Sequence, residues 1–301
     1  MAFSVLQSTV VIAVVIVTFR APEEMLADCD RSVVAAGGVD AIVVVDNAGS
    51  ASLPADLQQF VEVVRPQRNG GFGAGANAGF GIAIERGAAM IALLNDDLVV
   101  DADWLAPLIA ALDSSGRVGA VQPLLLVAGT DPVLINSAGV TLDSAGAGSD
   151  IGYGSVDQGD LSTTDIDLFT GGAVLFSVEF LRATNGFDER YFLYYEDVDL
   201  GLRGALLGYT YRCAKASRVT HRVSASTAQL GDRVVYLRER NRLWCAFRHQ
   251  PFATVARAVW LSVRRVRRAP RVAHLRALLI GVSLGAIRAL AERIGRINRA
   301  G

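Results

Sequence analysis

The chain has 301 residues, 51% apolar and 20% charged, which is enough for one large domain with a substantial core and excludes global disorder. Its formal net charge of −1 conceals an asymmetry, because residues 251–301 hold eleven arginines and one acid, Glu292, so the remainder is acidic. A basic tail on an acidic body points to a polyanionic surface as partner. It argues against nucleic acid, since no recognised module accompanies the arginines.

Val10–Thr18 is β-branched and nearly continuous, as a parallel strand covered on both faces requires. At about ten residues the run up to Phe19 is too short to span a bilayer. It also lacks the basic flank and cleavage site of a secretory signal. Pro22 and Glu23 open a predicted helix to about Val34. Strands follow at Ala41–Val45 and Phe60–Val64. A glycine-rich turn over Gly70–Gly79 leads into a helix through Arg86. Met90–Leu94 is the next strand, Trp104–Leu112 a helix, and Gly119–Leu126 a strand.

Alternation at this spacing predicts βαβ units, a mostly parallel sheet and an α/β fold. Ligands gather at the carboxyl ends of such strands. Thr18-Phe19-Arg20, Asp46-Asn47 and Asn95-Asp96-Asp97 all fall there. Residues 127–165 are rich in Gly, Ser and Asp and read as loops and short strands. Glu196–Leu207 is helical, with Val198, Leu202 and Leu206 on one face and an Asp199–Arg203 pair. Leu230–Phe247 is helical too, and no internal repeat is visible.

Cys29, Cys213 and Cys245 are odd in number, widely spaced and without a C-x-x-C pair. They indicate a reducing, cytoplasmic compartment rather than a disulfide framework or a zinc site.

Four clusters could carry chemistry. The acid pair Asp96-Asp97 after a buried strand suits a divalent cation bridging to phosphate, or a turn that caps the next helix. The glycines of Asn69–Asn77 allow close approach of a phosphate to a helix start, or simply tight helix–strand packing. They follow the third strand, so they are not a dinucleotide fingerprint, which belongs directly after the first. Phe187–Leu200 mixes acids with aromatic rings. Rings suit sugar stacking and a carboxylate beside them suits a general base, while acids at a helix start also satisfy its dipole. His221 is either a structural imidazole or a metal ligand.

In this order the pieces resemble family 2 glycosyltransferases of the GT-A fold, over about Val10 to Arg248. The carrying residues are Val17-Thr18-Phe19-Arg20, Val45-Asp46-Asn47 with Ser50, Asn69 through Asn77, and Leu94-Asn95-Asp96-Asp97 in the place of a D-x-D motif. Gly171-Gly172-Ala173, Gly186-Phe187-Asp188-Glu189 and Glu196-Asp197-Val198-Asp199-Leu200 resemble the G-G-F-D-E…E-D-x-D-L stretch of bacterial rhamnosyl- and related transferases, with Asn185 for the first Gly. His221 with Ser226 resembles the later H…S element. Ile135–Gly139 and Asp157-x-Gly159 are weaker matches to the same group.

The resemblance implies a nucleotide-sugar half over 1–126, an acceptor and catalytic half over 127–250, and an added tail over 251–301. It implies an inverting transfer from a pyrimidine nucleoside diphosphate donor, dTDP-rhamnose or a UDP-sugar, to a saccharide or lipid-linked acceptor in cell-surface polysaccharide synthesis. Asp197 would be the base. Thr18, Phe19, Arg20, Asp46, Asn47, Asn69, Gly73, Asn77, Asn95 and Asp96 would hold the donor. Gly171, Gly172, Tyr195 and Glu196 would meet the acceptor. Asp97 and His221 would bind Mg²⁺ or Mn²⁺. The alternative is a non-catalytic nucleotide- or carbohydrate-binding protein of the same fold.

In the tail, Phe252, Val255, Val259, Val263 and Val266 form one helical stripe, with Arg257, Arg264, Arg265 and Arg268 on the other side. After Pro270 a second stripe runs through Val272, Leu275, Leu279, Val282, Ala286 and Leu290. No unbroken apolar run is long enough to span a membrane. The stripes are therefore expected either to lie on the inner face of an anionic plasma membrane, peripherally, or to pack on the catalytic domain or on a second subunit as a homodimer.

Overall fold

The computed structural model describes residues 11–114, 116–222, 231–268 and 271–300. Val10, Ser226, Leu230, Pro270 and the side chain of Leu290 lie outside the described residues. The strands are β1 (Ile12–Thr18), β2 (Ala41–Asp46), β3 (Val61–Val64), β4 (Met90–Asn95), β5 (Leu98–Val100), β6 (Val118–Val127), β7 (Ile135–Ser137), β8 (Val140–Leu142), β9 (Gly148–Asp150), β10 (Thr163–Ile166), β11 (Ala173–Ser177) and β12 (Thr210–His221). The helices are α1 (Glu23–Ala36), α2 (Phe72–Glu85), α3 (Leu105–Leu112), α4 (Val178–Thr184), α5 (Glu196–Leu206), α6 (Asp232–His249), α7 (Phe252–Arg268) and α8 (Val272–Ala300).

One sheet runs β10-β12-β6-β11-β4-β1-β2-β3. The β4-β1-β2-β3 half is parallel, as the continuous apolar strands and intervening helices predict. The other half is mixed. β11 is antiparallel to both β4 and β6, and β12 is parallel to β6 but antiparallel to β10 and β5. Along each central strand successive side chains enter different layers. Val14, Ile16, Val44, Ala92 and Leu94 pack with α1 and α3. Val15, Val17, Val45, Ile91 and Leu93 pack with α2 and α4.

The second layer is strongly aromatic. Phe80, Phe169, Phe176, Phe180 and Phe187 meet at ring separations of 5.3 to 6.3 Å, mostly edge to face. This corrects the view of Phe187 as a sugar-stacking ring, because it is core. Tyr191 is likewise buried, against Trp244. Of the residues placed together on one face of α5, Val198 is buried and Leu206 is exposed.

The glycine-rich segment is not a turn through Gly79, since α2 already begins at Phe72. A side chain at Gly79 would overlap Val15, so this glycine sets how closely α2 lies on the sheet. Tight packing is thus part of what the glycines do.

Asp199 ties α5 to the end of α6. Fully buried, it accepts from Arg203 Nε at 2.8 Å, Arg248 Nη1 at 2.7 Å, His249 Nε2 at 2.8 Å and the Tyr191 hydroxyl at 3.2 Å. Burial alone would raise its pKa. The His249 hydrogen bond and the charges of Arg203 and Arg248 outweigh that and hold the carboxyl well below its usual range.

The tail does not stand apart, because α8 packs along α6. Its buried side is a column of small residues, Ala273, Ala277, Gly281, Gly285 and Ala289. Gly281 abuts Leu243, and Gly285 abuts Phe247 and Trp244. By length and composition Val272–Ala289 would suffice to cross a membrane, although no unbroken apolar run of that length occurs in it.

Replacing Asp199 with alanine is expected to cost about 3–5 kcal/mol, because it strands buried cationic partners. A urea denaturation midpoint measures it. The stabilisation from Asp199 is complete above the unfolded carboxyl pKa of about 3.9 and is lost as pH falls below it, so the variant and parent midpoints should converge in acid.

Candidate active site

Two connected hollows of about 360 and 640 Å³ lie at the carboxyl ends of β1, β2 and β4. The first, called the donor arm after the expectation from sequence, is lined by Val17, Thr18 and Phe19 at the end of β1, Asn47 after β2, Asn69, Gly71 and Phe72 at the start of α2, and Asn95 to Asp97 at the end of β4. The second, called the acceptor arm on the same expectation, is lined by Asp150, Gly171, Gly172, Tyr195, Glu196 and Asp197. Asn95, Tyr194, His221 and Arg238 border both.

At the join, β5 pairs with the end of β12, which sets His221 beside the loop after β4. His221 Nδ1 lies 2.9 Å from Asn136 Oδ1, and Nε2 lies 3.1 Å from Asp97 Oδ2. Two donors bound side by side to one ion at about 2.1 Å lie about 3 Å apart, so the pair suits a divalent cation. Among the described residues no three His, Cys, Asp or Glu side chains gather as a metal site. Such a pair fits an ion that takes its remaining ligands from phosphate and water. Beside it, burial raises the Asp96 pKa to about 6 against a hydrogen bond from Thr18.

In the acceptor arm, Asp197 Oδ2 accepts from the Gly171 N–H at 2.9 Å and Oδ1 from the Val198 N–H at 2.8 Å. The carboxylate is fixed by backbone, yet burial raises its pKa above the ordinary value. Glu196 is more deeply buried, its Oε2 has no hydrogen-bond partner, and burial with the neighbouring Asp197 charge lifts it to about 8. At neutral pH a carboxyl lifted to about 8 is mostly protonated.

The wall between the arms is strained. Phe192, Tyr194 and Tyr195 all have φ near +70°, a costly conformation for residues with a side chain. Asn241 of α6 holds it, its Nδ2 donating to the carbonyls of Tyr191, Leu193 and Tyr194 at 3.0, 2.8 and 2.7 Å. Gly71 has φ +93°, and a Cβ there would overlap the Phe192 carbonyl, which accepts from the Phe72 N–H at 2.7 Å.

Some residues expected at the donor do not face it. Asp46 is a loop brace, accepting from the Ala48, Gly49 and Ala51 N–H groups and pairing with Arg65. Gly73 is packed against Phe187. Asn77 binds the Phe187 backbone through both amide atoms and so joins α2 to the 187 segment. Arg20 is exposed and stacks on Phe19 outside the lining. Tyr195 presents its ring, but its hydroxyl is bound to Gly148 N–H and the Gly146 carbonyl.

Sequence reading missed Asn136, Asp150, Arg233, Arg238 and Asn241. Arg233 and Arg238 reach the cleft from α6 and lie over the rings of Phe192 and Tyr194 at 4.8 and 4.4 Å. Asp150 lies close enough to Asp197 for its charge to raise the Asp197 pKa. The arginines offered a signal in the basic run of α6, but nothing local in sequence aims them at this cleft.

The family model for glycosyl transferase family 2 matches residues 13–131, and that for glycosyl transferase family group 2 matches residues 90–289. The second spans most of the chain. The chain belongs to the family 2 glycosyltransferases. Its fold is the GT-A fold. The structure of GalNAc-T7 with UDP, GalNAc and Mn²⁺ aligns with a TM-score of 0.59 at 15% identity, over 90% of this chain and 54% of that one. The present chain thus spans about half of that relative's length. Mannosyltransferase PcManGT from Pyrobaculum calidifontis, in complex with GDP-Man and Mn²⁺, aligns at 0.51 and 12% identity over 93% and 86% of the two chains. S. aureus TarS 1–349 in complex with UDP aligns at 0.51 and 12% over 85% and 72%. At these identities the likeness establishes fold alone. No curated protein sequence matches this family 2 chain.

Asn241→Ala removes the donor to three carbonyls of a strained wall. It is expected to destabilise the protein by about 1–3 kcal/mol or more, the penalty for unsatisfied buried groups. The wall should also become accessible to exchange, so hydrogen exchange of residues 191–195 is expected to quicken while the amides of β1 and β4 do not change.

Proposed function

We propose that the protein transfers a sugar from a nucleoside diphosphate donor to an acceptor hydroxyl with inversion at the anomeric carbon. The observation that carries this is the placement of Asp197: a carboxylate fixed by two N–H groups, in a hollow that adjoins the phosphate-suited end of another. The donor arm takes the nucleotide between Phe19, Asn47 and Asn95, with the diphosphate toward Asp97, His221, Arg233 and Arg238. Complexes of the neighbours with UDP and with GDP-Man support a nucleotide-sugar donor. The pyrimidine preference, dTDP-rhamnose or a UDP-sugar, rests on the resemblance of the motifs. The acceptor is a saccharide or a lipid-linked saccharide, in cell-surface polysaccharide synthesis on the cytoplasmic side.

In the reaction Asp197 takes the proton of the acceptor hydroxyl as its oxygen attacks. Arg233 and Arg238 offset charge that builds on the departing diphosphate. Tyr194 and Phe192 exclude water from the join. Mg²⁺ or Mn²⁺, held by Asp97 and His221, would supply further neutralisation of the leaving group. The Mn²⁺ in two neighbours supports such an ion.

Asp197→Asn keeps the size of the side chain but removes the base, and its amide nitrogen can no longer accept one of the two backbone N–H bonds. Turnover is expected to fall by about 10²-fold or more, the scale of general-base catalysis, with nucleotide affinity unchanged. Normal turnover in Asp197→Asn alongside a dead Glu196→Gln would move the base by one residue. Normal turnover in both would leave a binding protein or another mechanism. In the parent protein kcat/KM is expected to fall on acidification at a pH above the ordinary aspartate pKa, because the Asp197 pKa is raised.

Asp97→Ala and chelation by EDTA are each expected to abolish transfer, with Mn²⁺ or Mg²⁺ restoring only the chelated parent. Full activity in EDTA would exclude the metal and leave the Asp97–His221 pair a structural contact.

A further inference from the structure

Several large apolar side chains of α8 point away from the protein, while Leu278, Ile280 and Val282 pack inward. At about 100° per residue, Ala273, Ala277, Gly281, Gly285 and Ala289 form the side that faces α6, and Val272, Leu275, Leu279, Ala286 and Ile287 form the opposite side. Val272 is 72% exposed, Leu279 61% and Ile287 63%, so the helix buries its small residues and displays several of its large ones. A helix stabilised only by its own domain would do the reverse. On α7, Val255, Ala258 and Ser262 are buried, whereas Trp260 is 60% exposed with the Arg264 guanidinium 5.3 Å from its ring centre. Arg257, Arg264, Arg267 and Arg268 on α7, Arg271 before α8 and Arg276 on α8 are exposed as well. Of the stripe expected from Phe252 to Val266, Val255 is buried, Val259, Val263 and Val266 are half-buried and Phe252 is exposed, so the display is Phe252, Trp260, the arginines and the outer face of α8.

We infer that α7 and α8 form a docking face for an anionic phospholipid bilayer, which seats the protein peripherally with its acceptor arm beside the lipid surface. Charge decides between a bilayer and a second copy. A two-fold interface would bring the same arginine-rich borders together. The one acid of the tail, Glu292, is already paired with Arg248 at 2.8 Å and Arg190 at 3.6 Å and cannot offset them. An anionic headgroup layer supplies the missing counter-charge, an apolar stripe suits the acyl boundary, and a Trp–Arg pair suits the interface between them. The spanning alternative is disfavoured because the small-residue side of α8 is committed to α6.

The face is continuous with the cleft. Arg265 of α7 lines the acceptor arm, and it also borders a hollow between α7 and α8 with Leu261, Arg264, Arg268 and His274. Arg265 is anchored by an ion pair to Glu239. An acceptor held in the bilayer by a lipid anchor would meet the arm at this wall. That use rests on the transfer reading; the seating does not.

The test is vesicle flotation of the full chain without substrates. The protein is expected to float with phosphatidylcholine vesicles containing phosphatidylglycerol. It should bind phosphatidylcholine alone about tenfold less or weaker, and it should be released at about 1 M salt, where the screening length is about 3 Å. Leu275→Ser/Leu279→Ser and, separately, Arg264→Gln/Arg267→Gln/Arg268→Gln are expected to lose binding by about tenfold or more with unchanged Tm, since all these side chains are exposed. Equal binding to neutral vesicles, or undiminished binding by both variants, overturns the proposal. So does a parent dimer that Leu275→Ser/Leu279→Ser turns into a monomer, which would assign the face to a second copy. Resistance to carbonate extraction would overturn peripheral seating in favour of a span. Because flotation needs no donor or acceptor, loss of transfer activity elsewhere does not affect the outcome.

Discussion

The wholly buried carboxylate of Asp199 is the contact on which the assembly of α5, α6 and α8 depends. Its partners come from α5 itself, from the turn before it and from the end of α6. With one end of α6 fixed in this way, Asn241 is set under the strained wall and Arg233 and Arg238 over the cleft. Arg248 continues the network to Glu292 on α8, so the tail is tied to the same point. An uncompensated charge at that depth would be costly. The network is therefore as much a constraint on how α5, α6 and α8 assemble as a source of stability.

The site itself is made where two parts of the sheet meet. The parallel half delivers polar residues at its carboxyl ends, as such sheets do. The mixed half brings β12 back beside β5 and so sets His221 against Asp97. Burial acts on three nearby acids with different results. Asp96 is lifted to about 6, Glu196 to about 8, and Asp197 is lifted while two N–H groups favour its ionised form. Adjacent carboxyls thus separate into one that is protonated and one that can take a proton.

The parallel half was legible because β1, β2 and β4 are continuous apolar runs ending in polar residues, and the Asp199–Arg203 pair because helix spacing is local. Asp97 and His221 were legible only through motif resemblance, since 124 positions separate them in the chain. Gly73, Asn77 and Asp46 look like ligand residues in sequence because a backbone brace and a ligand contact call for the same small, polar side chains. Only the packing against Phe187 and the turn N–H groups tells the two apart. Phe187 and Tyr191 misled for a related reason: aromatic side chains in a polar stretch can face either the core or the cleft. The tail was legible as two amphipathic helices, but not which face of each would be covered. That depended on glycines of α8 meeting Trp244, Phe247 and Leu243.

If the protein transfers a sugar as proposed, the diphosphate lies at the join between the two arms. Crystals of the protein with UDP and Mn²⁺, measured for Mn anomalous scattering, test this most directly. One anomalous peak bonded to both Asp97 Oδ2 and His221 Nε2, with the phosphates between it and Arg238, is expected. A nucleotide bound outside the donor arm, or a peak that touches neither Asp97 nor His221, would contradict it.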